Sequence, residues 1–186
     1  VQVKLSARWG VVAAAGLLAA CSAEQPQPPA ETTSDTETTT IDAVTPSITR
    51  EVEPAQRVHL DRAPAEELCQ LVSTDDLAQL AFPVEPGRPR KLGAGSPVRG
   101  CQFPEQDGTR SVLLAAQPPE YTDLGRAEVD LGDVTGTQLL RAGDCTVYAP
   151  VDGAALQVSV IAAEADSTQC ETAQGIAQYV LAAVAR

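Results

Sequence analysis

The sequence predicts an α+β domain over residues 61–186: an antiparallel sheet with N-terminal and C-terminal helices packed on one face, held by two disulfides. Three observations predict it. Leu156, Val158 and Val160 alternate with Gln157 and Ser159, the period of a half-buried strand. The closing segment repeats apolar residues at helical spacing, through Ala173, Ile176, Ala177, Val180, Leu181 and Val184. Four cysteines, Cys69, Cys101, Cys145 and Cys170, are spread over the same region.

The elements follow in chain order. Ala65 to Leu71 reads as a helix. A second short helix runs from Thr74 to Ala81, with Ser73 as N-cap and Asp76 three residues on in a variant capping box. Pro83, Pro86, Pro89 and Pro97, with Gly87, Gly93 and Gly95, predict a long irregular loop. Gln102-Phe103 and Arg110 to Gln117 are strand candidates around the turn Glu105-Gln106-Asp107-Gly108. Pro118-Pro119 breaks the chain, and Tyr121 to Val129 reads as helix or loop. Thr135 to Arg141, Cys145 to Ala149 and Ala154 to Ala162 are strands, with Asp152-Gly153 turning between the last two. Thr168-x-x-Glu171 is a capping box that opens the last helix.

The N-terminus has the order of a targeting segment. Lys4 and Arg8 precede the apolar run Trp9 to Ala20, which is shorter than the roughly 20 apolar residues of a bilayer span. Leu18-Ala19-Ala20-Cys21 resembles the lipobox of bacterial lipoproteins. That resemblance implies a signal peptide at 1–20, transfer of diacylglycerol to the Cys21 thiol and cleavage before Cys21, with palmitate among the attached chains. Two or three acyl chains on one cysteine make a stable membrane anchor, where one gives only marginal affinity. The initial Val fits a GTG start.

Residues 21–60 read as a lipidated, disordered stalk rich in Thr, Pro and Glu, with no aromatic residue and only isolated aliphatics. As a coil of about 39 residues it would reach ~35 Å and hold the domain off the lipid.

With Cys21 acylated, four cysteines remain, and an exported chain pairs them. The hairpin from Cys145 to Ala162 returns the chain to Cys145, where the last helix begins with Cys170 in its first turn. Cys145–Cys170 is therefore the easy pair, which leaves Cys69–Cys101. No CxxC pair is present and His59 is the one histidine, so neither a zinc site nor a dithiol redox centre has its ligands.

The domain resembles actinobacterial lipoproteins carrying domain of unknown function 3558. The residues that carry the likeness are Leu68-Cys69-Gln70-Leu71, Thr74-Asp75-Asp76-Leu77, Cys101-Gln102-Phe103 and Leu131-Gly132-Asp133. Val134 stands where that family often has a small residue. The resemblance implies an exported, membrane-anchored α+β domain, and it transfers no catalytic residue.

Composition narrows the function classes. The net charge is −12 and aromatics are 3 %, which argues against nucleic-acid partners that need basic patches and stacking platforms. Ser73, Ser96 and Ser111 have no histidine base in the domain. Gly93-Ala94-Gly95 lacks the spacing of a phosphate cradle. Asp75 and Asp76 suit the first turn of a helix. Asp130 and Asp133 around Gly132 read first as a turn and do not match a calcium loop. No catalytic, cofactor-binding or metal-ligating residue is expected, and no cofactor.

The cationic stretch Pro86 to Arg99 stands out in an acidic chain. Arg88, Arg90, Lys91 and Arg99 are the candidate contacts for an anionic partner, a lipid headgroup or a phosphorylated wall polymer, since guanidinium presents a planar fork of donors to phosphate. The expected function is thus a cell-membrane lipoprotein on the extracytoplasmic face that acts as a non-catalytic binding module. The competing expectation is a carboxylate-dependent hydrolase of wall glycans, which needs two facing carboxylates about 5–10 Å apart. Oligomeric state is open.

Overall fold

A computed structural model describes residues 40–41, 44–91 and 98–186. The signal segment, Cys21, most of the stalk, Gly93-Ala94-Gly95 and Ser96 lie outside the described residues.

The described residues form one sheet of eight strands: β1 (Thr40–Ile41), β2 (Arg88–Lys91), β3 (Arg99–Pro104), β4 (Ser111–Gln117), β5 (Ala127–Asp130), β6 (Thr135–Arg141), β7 (Asp144–Val151) and β8 (Ala154–Ile161). Their spatial order is β1-β5-β6-β7-β8-β4-β3-β2. Seven strands pair antiparallel, and the two-residue β1 adds parallel to β5. Among the described residues three α-helices accompany them: α1 (Ala65–Leu68), α2 (Thr74–Leu80) and α3 (Ser167–Leu181).

Strand residues alternate between faces, so the register assigns each side chain a side. One row aligns Cys101, Leu114, Val158 and Val147, and the next aligns Phe103, Val112, Val160 and Cys145. These residues are buried in one core with Leu68, Leu71, Leu77, Ile176, Val180 and Leu181 from the helical segments. Both disulfides rise from this face: Cys69–Cys101 ties the end of α1 to β3, and Cys145–Cys170 ties α3 to β7. The predicted architecture, with helices on one face, and both predicted pairings are what the structure shows.

Turn chemistry sets the hairpins. Gly153, at φ 68°, turns β7 into β8. The β3–β4 turn is closed by the Glu105 carboxylate, which accepts from the Arg110 backbone N–H at 3.1 Å and pairs with its guanidinium. That guanidinium lies 4.1 Å over the Phe82 ring. The capping box at α2 forms as predicted: Asp76 N–H donates to Ser73 Oγ and Ser73 N–H donates to Asp76 Oδ2.

Four sequence expectations are corrected. The Pro86–Arg99 stretch is not irregular throughout, because Arg88–Lys91 forms edge strand β2 against β3. Charge and Pro, which hid it, are what edge strands carry against further pairing. The stretch after Pro118 is a 3-10 turn over Pro119–Leu124 followed by β5. Helix α3 starts at Ser167, with Asp166 as N-cap accepting from Thr168 N–H, and Gln169 rather than Glu171 completes the box. Finally, residues 44–60, expected within the stalk, lie against the domain. Leu60 is buried, Ile48, Val52 and Val58 pack on the core, and Val58 N–H donates to Ala183 O at 2.8 Å.

Candidate functional site: the open face of the sheet

The second face of the sheet carries no α-helix among the described residues. One row of side chains across it is Arg88, Gln102, Leu113, Ser159, Thr146 and Leu139. The adjacent row is Arg90, Gly100, Ala115, Gln157, Tyr148 and Thr137. Among the described residues, the 3-10 turn Pro119–Leu124 lies against β6, β7 and β8 near Tyr148. There Thr137 Oγ1 donates to Thr122 O and accepts from Gly125 N–H. Burial pushes the Tyr148 phenol pKa up, so it stays a neutral hydrogen-bonding group.

A chain of polar side chains crosses three strands on this face. Gln117 Nε2 donates to Gln157 Oε1 at 2.5 Å, and Gln157 Nε2 donates to Ser159 Oγ at 2.9 Å. Ser159 Oγ and Thr146 Oγ1 are 2.7 Å apart, and Thr146 Oγ1 lies 2.8 Å from Asp144 Oδ2. Thr146 and Ser159 are only 2 % and 3 % exposed, while Gln157 and Asp144 are half-buried and accessible. Toward β2, Gln102 Nε2 donates to Ser111 Oγ at 3.2 Å. Short hydroxyl and amide groups, held in register by strands and by one another, make a rigid polar layer, of which Gln157 and Asp144 are the members that solvent reaches. Sequence reading took Gln157 and Ser159 as an ordinary solvent face. The missed signal is that such alternate positions carry amides and hydroxyls where a solvated strand favours long charged residues.

The register splits the four candidate cations. Arg88 and Arg90 share the open face, and Lys91 and Arg99 project on the helix side. Arg88 pairs with the Glu85 carboxylate, an exposed ion pair of small energetic weight. Arg90 and Lys91 have no partner among the described residues. Arg99 is tied down instead: its Nη2 donates to Leu60 O at 3.1 Å and Asp61 O at 3.0 Å, fastening the segment before α1 to the sheet.

A second concavity, of about 620 Å³, is lined by Arg50, Arg57 and Arg186 together with Glu51, Glu53 and Asp133. Its charges balance, and Arg186 Nη1 is paired with Asp133 Oδ2 at 3.0 Å. Arg50 lies 4.4 Å over the Tyr179 ring and donates from Nε to Tyr179 O, so it serves to hold residues 44–60 on α3. The Asp130–Asp133 stretch is a turn: Gly132 N–H donates to Asp130 Oδ1 at 2.8 Å and Gly132 has φ 88°. Among the described residues no three His, Cys, Asp or Glu side chains cluster as metal ligands, and no helix is long and apolar enough to cross a membrane.

No curated protein and no solved structure matches the chain. A family match does, and it spans residues 16–183, from within the apolar N-terminal run to the end of the last helix. Over that span the chain belongs to the family described as Protein of unknown function (DUF3558).

Proposed function

We propose that this protein is a lipoprotein of the bacterial cell envelope, anchored through Cys21 on the extracytoplasmic face, whose open sheet face binds a phosphorylated wall polymer without catalysing a reaction. The observation that carries the binding reading is the Gln117–Gln157–Ser159–Thr146–Asp144 chain, reached from solvent at Gln157 and Asp144, on a face that carries no α-helix among the described residues and is bordered by Arg88 and Arg90. Hydroxyl-rich polymer units match the accessible Gln157 amide and Asp144 carboxylate of the chain. Phosphate groups match the guanidinium forks at the β2 edge. The anchor reading is supported by the order of basic residues, apolar run and Leu18-Ala19-Ala20-Cys21, and an actinobacterial origin rests on the resemblance carried by Leu68-Cys69-Gln70-Leu71 and Cys101-Gln102-Phe103. The family match also begins upstream of Cys21.

The test is co-sedimentation of the full chain with isolated wall and, separately, with anionic phospholipid vesicles. Arg88→Ala/Arg90→Ala should release the chain from wall at low salt, since exposed contacts to phosphate are electrostatic and screened. Equal retention of wild type and variant on wall contradicts the reading, and retention on vesicles that depends on these two arginines moves the partner to the lipid headgroup.

A further inference from the structure

The two disulfides differ in what solvent reaches. Cys145 and Cys170 are 0 % and 5 % exposed, and Cys101 is fully buried. Cys69, at the C-cap of α1, is partly exposed. A thiolate opens a disulfide by attacking one of its sulfurs, so access to a bridged cysteine decides which bridge exchanges. Cys69 is the bridged cysteine that offers such access. The helices that carry the bridges differ in the same sense. α1 has four residues, while α3 has 15 and buries a continuous face on the core.

The Cys69–Cys101 bridge also supports the cationic edge strand. α1 packs against both β2 and β3. Cys101 is the register partner of Pro89, and Gly87 sits directly on its sulfur, where a Cβ would stand 2.5 Å from Cys101 Sγ. β2 pairs on one side only among the described residues, and all four of its residues are exposed. Upstream, Val84 bridges to Glu105 and Glu85 N–H donates to Pro104 O at 2.7 Å, so the chain is fastened independently as far as Glu85. From Gly87 to Lys91 it leans on β3, on α1 and on the bridge.

From this arrangement we infer that Cys69–Cys101 is a redox latch on β2, opened by a dithiol reductant and reclosed by oxidation. A thiolate of the reductant attacks Cys69 Sγ, forms a mixed disulfide and expels Cys101 Sγ, which takes up a proton. The second thiolate of the reductant then attacks the reductant sulfur of the mixed disulfide, closes the reductant's own disulfide and releases Cys69, which is protonated in turn. Two electrons and two protons pass from the dithiol to the bridge. α1 is too short to persist alone, so it separates from β2, and Arg88 and Arg90 lose their fixed positions. That last consequence, a redox control of polymer binding, rests on the reading proposed above, and the latch itself does not.

The test titrates the full chain with dithiothreitol, traps free thiols with N-ethylmaleimide and maps them by mass spectrometry. Cys69 and Cys101 should be labelled at about one-tenth or less of the dithiol concentration that opens Cys145–Cys170. At that concentration hydrogen exchange should speed about tenfold or more in α1 and at the amides of Arg88, Arg90 and Lys91, with α3 and β8 unchanged, and reoxidation should restore protection. Retention on isolated wall should fall in the reduced chain and return on reoxidation. Opening of Cys145–Cys170 first or together with Cys69–Cys101 would overturn the latch, as would β2 amides that exchange equally in reduced and oxidised chains. A wall retention that is absent from the oxidised chain, or that survives the opening of β2, would count against the polymer reading instead, with labelling and exchange still deciding the latch.

Discussion

Removing either disulfide should cost a comparable amount of stability but fail in different places. The two bridges close loops of similar length, with sequence separations of 32 for Cys69–Cys101 and 25 for Cys145–Cys170. In the chain-entropy account, loops of these lengths contribute about 3.7 and 3.5 kcal/mol by restricting the denatured chain. Double substitution to Ala should therefore lower the thermal midpoint by roughly 7–14 °C in either case. The helices they hold differ. α1 has four residues and α2 seven, too short to persist alone, while α3 has 15 residues and a continuous apolar stripe on the core. Loss of Cys69–Cys101 should open residues 61–82 to hydrogen exchange well below the global unfolding free energy. Loss of Cys145–Cys170 should lower protection across the sheet and α3 together. The assay is chemical denaturation combined with native-state exchange on both variants. A loss of less than about 1 kcal/mol in either variant would refute the loop-closure reasoning. Global rather than local opening in the Cys69/Cys101 variant would refute the assignment of that bridge to the small helices.

Three further outcomes follow from the same structure. Gly87→Ala should destabilise by about 1–3 kcal/mol, measurable by denaturant melts, because a Cβ there would stand 2.5 Å from Cys101 Sγ and 2.6 Å from the Phe103 ring. Acid should weaken the fold through two carboxylates whose folded pKa values are depressed. At Asp76 burial raises the pKa, but hydrogen bonds from Ser73 and Tyr179 outweigh it, and at Glu105 the hydrogen bonds from Arg110 dominate. Their contribution is present above the ordinary carboxylate range near pH 4 and is lost as pH falls through the lower folded values, so Asp76→Asn and Glu105→Gln should flatten a melting-temperature profile between about pH 5 and 2. Cys21→Ala should leave the chain unacylated and shift it out of the membrane fraction, and label from a fatty-acid precursor still on the variant would contradict the anchor.

What could be read from the sequence was whatever a short periodic pattern encodes. The alternation of Leu156, Val158 and Val160 and the stripe of α3 fixed both the sheet and the side on which its helix packs. Hairpin geometry then led to the cysteine pairs. Strand β2 was illegible because Arg88-Pro89-Arg90-Lys91 lies at an edge with all four residues exposed, so no buried face imposes alternation. Residues 44–60 were illegible for the opposite reason. Ile48, Val52 and Val58 are single anchors on an extended segment, and composition averaged over such a segment resembles that of a disordered one. The open face depends on register between strands far apart in sequence. Gln117 and Gln157 are 40 positions apart and meet only once β4 lies beside β8. The separation of Arg88 and Arg90 from Lys91 and Arg99 likewise needs the pairing of β2 with β3.

Arginine footprinting tests the central claim most directly. The full chain is treated with an arginine-specific dicarbonyl reagent, with and without isolated wall polymer, and modified sites are quantified by mass spectrometry. Binding through the open face predicts that polymer shields Arg88 and Arg90 while Arg57 and Arg186 react as before. Shielding of Arg57 and Arg186 with Arg88 and Arg90 still reactive would place the polymer in the second concavity and contradict the account.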